Sequence, residues 1–446
     1  MTDAQADSPL GLWGMTRYQW TVLFAAWLGW GFDVFDGLLF NYVAPNCVPV
    51  LLGLPLGSLA AKQATLFWGG TLTSILLLGW AAGGIIFGAV ADRIGRTRTL
   101  LITMLLYALG TAACAAAPNL PVLILFRLVA SLGIGGEWAA GASMVAEVVP
   151  ERRRVEAGAL LYTSAPMGLF LATFVNFQIA GNLFKGSPET SWRYVFLCGL
   201  IPAAAAFVIR LFVREPERWK QAAAGVAPPR MRELFAPNIR ALTLSGFLMA
   251  LVALITWWST NAFIPIVSTG LAQAAAKTRG LDRAATMALV ESWKAYTTSY
   301  FNLGGLIGTL LTIPASKLLG RKKMFALYYA LSGLALFATF HLDLTPEVRM
   351  RLYFFDGLTV FGVFGAFTYY LPELFPTRLR ATGAGFCYNV GRILTAAGPF
   401  LVGHFAARGR DALTGALSTL SFVAIVPIAG LLFMPLVIET KGRALE

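Results

Sequence analysis

Charge is what this sequence has least of: only 13% of its 446 residues are Asp, Glu, Lys or Arg, about half the share of a soluble domain. With 57% hydrophobic residues and a mean hydropathy of +0.68, a soluble globular chain is excluded and an integral membrane protein is expected. Acidic residues are scarcer than basic ones, giving a net charge of +13. The basic residues sit in short loops between apolar runs and not on one amphipathic face, so no nucleic-acid partner is expected. Histidine is nearly missing, and His341 and His404 both lie near the ends of apolar runs, which argues against a central imidazole proton relay. The four cysteines (Cys47, Cys114, Cys198 and Cys387) show no metal spacing and no evident pairing, so neither a metal nor a disulfide is expected. No G-x-x-x-x-G-K-[ST] loop is present, which argues against ATP-driven chemistry, and no cofactor is expected. A nucleophile–base constellation is also missing, so the chain does not read as an enzyme. The opening "MTDAQADSPL" lacks a basic n-region and a cleavage site, so no removable signal peptide is expected.

What is there is a series of apolar runs, each long enough to cross about 30 Å of hydrocarbon as a helix. Twelve spans are expected near 20–42, 66–90, 98–117, 121–146, 157–183, 192–213, 240–268, 293–316, 323–341, 350–371, 382–405 and 415–438. Basic clusters fall in every second loop: Arg93, Arg96 and Arg98; Arg152 to Arg154; Arg321 to Lys323; Arg378 and Arg380. The positive-inside rule makes those loops and both termini cytoplasmic. The longest polar interruption, Arg214 to Asn238, reads as a cytoplasmic linker (214–239) between six-helix bundles at 1–213 and 240–446. "DRIGRTR" at 92–98 recurs as "KLLGRKK" at 317–323, an offset of 225, and "AEVVPERRR" at 146–154 recurs as "PELFPTRLR" at 372–380, an offset of 226. Two matches at nearly one offset indicate a duplicated unit. The segment Thr269 to Glu291, with Lys277, Arg279, Asp282 and Arg283, is expected outside the membrane as a solvated connector or a surface helix.

The loops carry a resemblance. "GAVADRIGRTR" (Gly88, Asp92, Arg93, Gly95, Arg96) is similar to the major facilitator superfamily signature between its second and third helices. "FRLVASLGIGGEW" resembles the R-x-x-x-G-x-G-x-G pattern of the fourth helix, with Ser131 at the first glycine and Glu137 near the end. "YLPELFPTRLRATGAGF" resembles the loop after the tenth helix and "REPERW" the motif after the sixth. The resemblance spans essentially the whole chain and implies an all-α membrane fold of twelve helices in two pseudo-symmetric bundles. The D-x-x-D of span one, the GGE of span four and "ELFPTRLRATG...NVGR" look most like bacterial organic-acid:proton symporters, such as sialate, lactate and aromatic-acid permeases. In the second copy Lys317 stands where an acid is expected and Ile313 where a glycine is expected. Conformational gating is assigned by this resemblance to Gly88, Asp92, Arg93, Gly95, Arg96, Glu147, Arg154, Glu373 and Arg380.

Asp33 and Asp36 lie inside span one, where a central aspartate costs roughly +2.5 to +3.5 kcal/mol and each Leu, Ile, Phe or Val recovers about 0.3 to 0.6. Their i, i+3 spacing predicts one shared face looking into one cavity, and intramembrane acids default to function. Arg127 falls at a similar depth on span four. In the sugar-porter branch the matching pair is proton-responsive, and the resemblance implies the same here. Glu137, ten residues further along, lies about 15 Å inward, as a buried hydrogen-bonded acid or a second protonation point. Arg392, at the middle of span eleven, needs an anion: a substrate carboxylate or Asp356 on span ten. Asn389, Tyr388, Asn261, Trp258, Tyr300 and Gln178 fall at candidate cavity depth and complete the expected substrate site.

Together these readings point to a secondary transporter in a bacterial inner membrane, a monomer taking up a small organic anion with protons. The alternatives are a sugar or polyol proton symporter, a drug or cation exporter, and a non-transporting membrane sensor.

Overall fold

A computed structural model describes residues 14–94, 96–135, 145, 148–201, 204, 230–376, 379–409 and 411–442. They form twelve joined helices. In chain order these are α1 (Arg17–Leu51), α2 (Leu59–Ile94), α3 (Arg96–Cys114), α4 (Leu120–Gly135), α5 (Val155–Leu183) and α6 (Pro188–Cys198). Then follow α7 (Arg240–Thr278), α8 (Arg283–Leu319), α9 (Arg321–His341), α10 (Pro346–Leu374), α11 (Arg380–Thr395, continued by Ala397–Ala406) and α12 (Ala412–Leu436). Seven of them are long and apolar enough to cross a bilayer by length and composition among the described residues, and α3 and α4 contain shorter apolar stretches. Each expected span has a helix at its position, although the end of the fourth (136–144, 146), most of the second half of the sixth (202–203 and 205–213) and the linker from 214 to 229 lie outside the described residues.

One expectation is corrected. The segment Thr269 to Glu291 is neither a connector nor a separate surface helix. It lengthens α7 to Thr278 and begins α8 at Arg283, with a short turn around Gly280 at φ +62° between them. Its charges made it read as a loop, but Asp282 caps α8 by accepting from the Ala285 amide at 2.7 Å, and Glu291 is buried inside the bundle.

The packing is a duplicated pattern. In the first six helices α1 packs on α5, α2 on α4 and α3 on α6; in the second six α7 packs on α11, α8 on α10 and α9 on α12. The second set is the first advanced by six. Close crossings hold each half together. Gly79 and Gly83 of α2 abut Ser131 and Leu132 of α4, and Gly304 and Gly308 of α8 abut Phe354 and Leu358 of α10. A methyl group on any of the four would overlap its neighbour. The paired glycines stand 225 residues apart, the offset of the loop repeat. Lipid gives apolar helices no hydrophobic reason to associate, so such backbone-to-backbone packing carries the association. Between the halves, α1 meets the outer part of α7, α2 meets α11, and α5 meets both α8 and α10.

Substituting Gly83→Val or Gly308→Val should destabilise the protein by about 1–3 kcal/mol or more through overpacking. Thermal unfolding in detergent should show a lower midpoint for both, while Gly186→Ala, in open space, stays near the wild type.

Candidate functional site

The site grows from charges that the helices carry into the bundle. Asp36 is 1% exposed and accepts a 2.7 Å hydrogen bond from the Thr111 hydroxyl of α3, and its other oxygen faces Gly199 beyond α6. Arg127, also 1% exposed, donates from Nη2 to the carbonyl of Gly37 at 2.5 Å and lies over the Phe40 ring at 5.7 Å. The guanidinium and the Asp36 carboxylate are within electrostatic reach, yet no ion contact joins them among the described residues. Asp36 turns into the first half, toward α3 and α6. Asp33 stands one turn before Gly37, whose open side faces Ile134 of α4 and Trp80 of α2. Glu137 lies outside the described residues.

At the seam between the halves a buried cage surrounds Arg392, which is 2% exposed. Its guanidinium lies 4.4 Å from the Trp80 ring centre and 4.6 Å from that of Tyr388, and Nη1 donates to Asn389 Oδ1 at 3.2 Å. Asn389 in turn lies against Gly84 of α2. Trp80 meets Trp258 edge-on at 5.8 Å, Trp258 meets Trp257 at 4.7 Å, and Tyr162 of α5 stacks on Phe364 of α10 at 5.8 Å. Here α10 departs from regular helix, with π-helical turns at Gly357–Phe361 and 3-10 turns at Gly362–Ala366, and these turn Phe361 and Phe364 toward the cage. Irregular backbone at membrane depth is tolerated where it is enclosed by protein.

Four expected residues are thus brought together: Trp258, Tyr388, Asn389 and Arg392. Three are not. Gln178 lies sixteen residues beyond Tyr162 along α5, about 24 Å away, where it accepts from Asn182. Tyr300 is 37% exposed and faces away from the core. Asn261 is buried one turn beyond Trp258 with no bond to the cage among those described. The alternative partner for Arg392 also lies elsewhere: Asp356 is fully buried on α10 beside Tyr353 and Thr339, inside the second half. Trp80 is gained, and Tyr162 of α5, an aromatic at candidate cavity depth in the sequence, joins the cage. Trp80 sits inside "GWAAGG", and an aromatic among small packing residues was the available signal.

Two further cross-half contacts were not anticipated as sites. Toward the end of the molecule away from the basic loops, Glu291 and Lys294 of α8 form an ion contact of 2.7 Å at 1% and 0% exposure. Asn176 of α5 donates to Glu291 at 2.9 Å, and Lys294 donates to the Tyr42 carbonyl of α1 at 3.3 Å. At the basic end Lys317 of α8 meets Glu156 of α5 at 2.6 Å, with Arg153 at 3.4 Å from the same oxygen. The lysine that departs from the expected signature therefore spans the two halves.

Among the gating residues, Gly95 and Glu147 lie outside the described residues, as do the side chains of Asp92, Arg93, Arg96, Arg154 and Arg380; Gly88 is described only as part of α2. Glu373 is held within the second half. Arg321 grips it bidentately at 3.0 and 2.7 Å, and Thr440 donates to it at 2.6 Å. Glu439 completes this corner by accepting from the amides of Arg321 and Lys322, which open α9. Burial pushes the Glu439 pKa up, but the amides of Arg321, Lys441 and Lys322 and the Arg321 guanidinium outweigh that and hold it below the usual carboxylate range.

Comparison with known proteins adds three findings. The family described as Major Facilitator Superfamily matches residues 35–399. The "Probable 4-methylmuconolactone transporter" of Cupriavidus pinatubonensis is 27% identical over 95% of this chain and 91% of its own, and the "Niacin transporter NiaP" of Acinetobacter baylyi is 25% identical over 96% of both. The crystal structure of a D-xylose-proton symporter superposes with a TM-score of 0.71 at 19% identity, covering 96% of this chain and 100% of that one.

The basic-end corner makes two expectations. Arg321→Lys keeps the charge but loses the fork and should cost about 1.5–3 kcal/mol in thermal unfolding. Because the folded pKa of Glu439 is lowered, its contribution is present above the unfolded value of about 4.3 and is lost as pH falls through the folded value. Glu439→Gln should therefore flatten the acid limb of a plot of midpoint against pH.

Proposed function

The chain belongs to the Major Facilitator Superfamily of membrane transporters, and from that membership we propose that it takes up a small ring-bearing organic anion together with a proton by alternating access. One observation carries the reading: a buried guanidinium, Arg392, stands between aromatic rings contributed by both halves. Trp80, Trp258, Tyr162 and Tyr388 offer flat apolar walls to a ring, and the guanidinium offers paired donors to a carboxylate. Asn389 orients the guanidinium and supplies an amide. Because Trp80 belongs to one half and Arg392 to the other, rocking of the halves would open and close the cage. The relatives named for 4-methylmuconolactone and niacin, both small ring compounds, support this class of substrate.

Protons would enter through the first helix. Asp33 is buried one helical turn before Gly37, whose open side faces Trp80, and its charge would share one enclosure with that of the bound anion. Two negative charges there are costly in low dielectric, and a proton on Asp33 removes one of them. One proton per monocarboxylate is then electroneutral. Asp36 and Arg127 would act from behind, through the Gly37 carbonyl that Arg127 holds. By the charge bias the basic loops face the cytoplasm of a bacterial inner membrane. The anion reading is preferred to a sugar because a guanidinium matches the paired oxygens of a carboxylate, which a sugar does not offer.

Proteoliposomes with an alkaline lumen should accumulate small aromatic or ring monocarboxylates, with accumulation abolished by a protonophore. Arg392→Ala and Asp33→Asn should each lower uptake at least about tenfold, the scale of a lost charge-assisted contact. Undiminished uptake by Arg392→Ala would remove the anion site, and uptake of pentoses but of no acid would favour the sugar reading. A thermal-shift screen of the same acids should stabilise the wild type and not Arg392→Ala.

A further inference from the structure

Helix α8 is tied to the first half at both of its ends, and the two ties obey different physics. Gly305, which packs on Phe361 beside the cage, lies eleven residues from Lys294 and twelve from Lys317, about 16 and 18 Å along the helix. The two contacts therefore bracket the aromatic cage almost evenly.

At the basic end the charges belong to different halves. Lys317 is 49% exposed and Glu156 11% exposed, so opening this end pulls opposite charges apart in partly hydrated surroundings. Such a contact resists opening and is weakened by salt. Arg153 remains near Glu156 after separation, but Lys317 goes to water alone.

At the other end the charges belong to one helix, at i, i+3. Glu291 and Lys294 are both dry, and opening that end does not separate them. What opening removes is the Asn176 hydrogen bond and the contact of Lys294 with the Tyr42 carbonyl, and what it supplies is water. The surroundings from the other elements are Asn176 and Thr173 of α5, Tyr42 of α1, and Thr298 on α8 itself. Enclosing an ion pair strips the hydration from both ions, a cost that their mutual attraction only partly offsets.

We propose that α8 carries two gates of opposite sense: Lys317–Glu156 holds the basic end shut, whereas burial of the Glu291–Lys294 pair opposes closure of the other end, so that the unloaded protein rests open away from its basic loops. The proposal builds on the alternating-access reading and adds to it a resting direction and its cause. An exposed ion pair, Arg283 with Glu189, also bridges the halves at the outer end, where salt can reach it.

The test reads the two ends separately in the full chain reconstituted in nanodiscs, without substrate. In a Cys198→Ser, Arg283→Gln background, Thr298→Cys reports the outer end and Thr368→Cys, which packs on Gly158, reports the basic end. The alkylation rate by a polar maleimide is the readout. Replacing the buried pair by neutral residues of similar size, Glu291→Gln with Lys294→Met, should lower the outer rate about tenfold and raise the basic-end rate. Asn176→Ala, which leaves the charges but removes the bond across the halves, should raise the outer rate. Raising salt from about 0.05 to 0.5 M should increase the basic-end rate several-fold in the parent and not in Lys317→Gln. A faster outer rate in the neutral double variant would make the pair a latch and overturn the proposal, as would an equal salt response in Lys317→Gln. Rates at the two ends that rise and fall together would instead overturn alternating access itself. The salt comparison and Asn176→Ala decide the matter should the double variant not fold.

Discussion

Hydrocarbon offers no hydrogen bonds, so every polar group inside this bundle must find its partner in protein or stand where water will reach it when the molecule moves. The arrangement of charges follows from that constraint. Asp36 takes the Thr111 hydroxyl, Arg127 takes the Gly37 carbonyl and the face of Phe40, and Arg392 lies between indole and phenol rings. The lipid-facing surface is left to residues such as Leu109, Phe174, Leu334 and Phe422. Charge thus marks the interior and the seam, and apolar bulk marks the outside, the reverse of a soluble protein.

The same constraint separates what is rigid from what can move. Within each half, glycines let helix backbones touch, as Gly83 does on Leu132 and Gly308 on Leu358, leaving no slack for relative motion. Around the cage and along α8 the seam is built from long side chains, tryptophans and tyrosines around Arg392 and the lysines of α8 at either end, whereas Gly70 of α2 lies backbone to backbone against Pro399 and Gly403 of α11. Side chains of that length can re-pair or hydrate without the helices that carry them unfolding. Glycine contacts thus stiffen each half, and the charged and aromatic part of the seam is the part that can re-form.

Much of this was legible before any coordinates. The twelve spans follow from the length of apolar runs, and the duplication from two loop repeats whose offset of 225 the glycine crossings then share. Arg392, Asn389, Tyr388 and Trp258, which the fold brings together, stand out in the sequence because a polar or aromatic residue at mid-depth asks for a partner. Depth, however, is only a count of residues along a helix. Tyr300 satisfied the depth criterion and failed on direction, because a span that is apolar all round gives no period by which to orient it, whereas Gln178, sixteen residues beyond Tyr162 on one helix, failed on depth itself. Glu291 and Lys294 were passed over for the opposite reason. Their charged surroundings from Lys277 to Arg283 resembled a loop, and nothing local distinguishes a hydrated lysine from one enclosed by helices α1 and α5.

By itself the sequence determined what depends on composition and counting: a membrane chain, twelve helices, two related halves, and the depth at which each charge sits. Only the tertiary structure decided which neighbour each charge meets. That Asp36 faces Thr111 and not Arg392, that Trp80 closes the cage, and that Lys317 reaches Glu156 all depend on how helices far apart in the chain rotate against one another. Rotation about a helix axis is set by packing against partners, and no local run of residues encodes the partner.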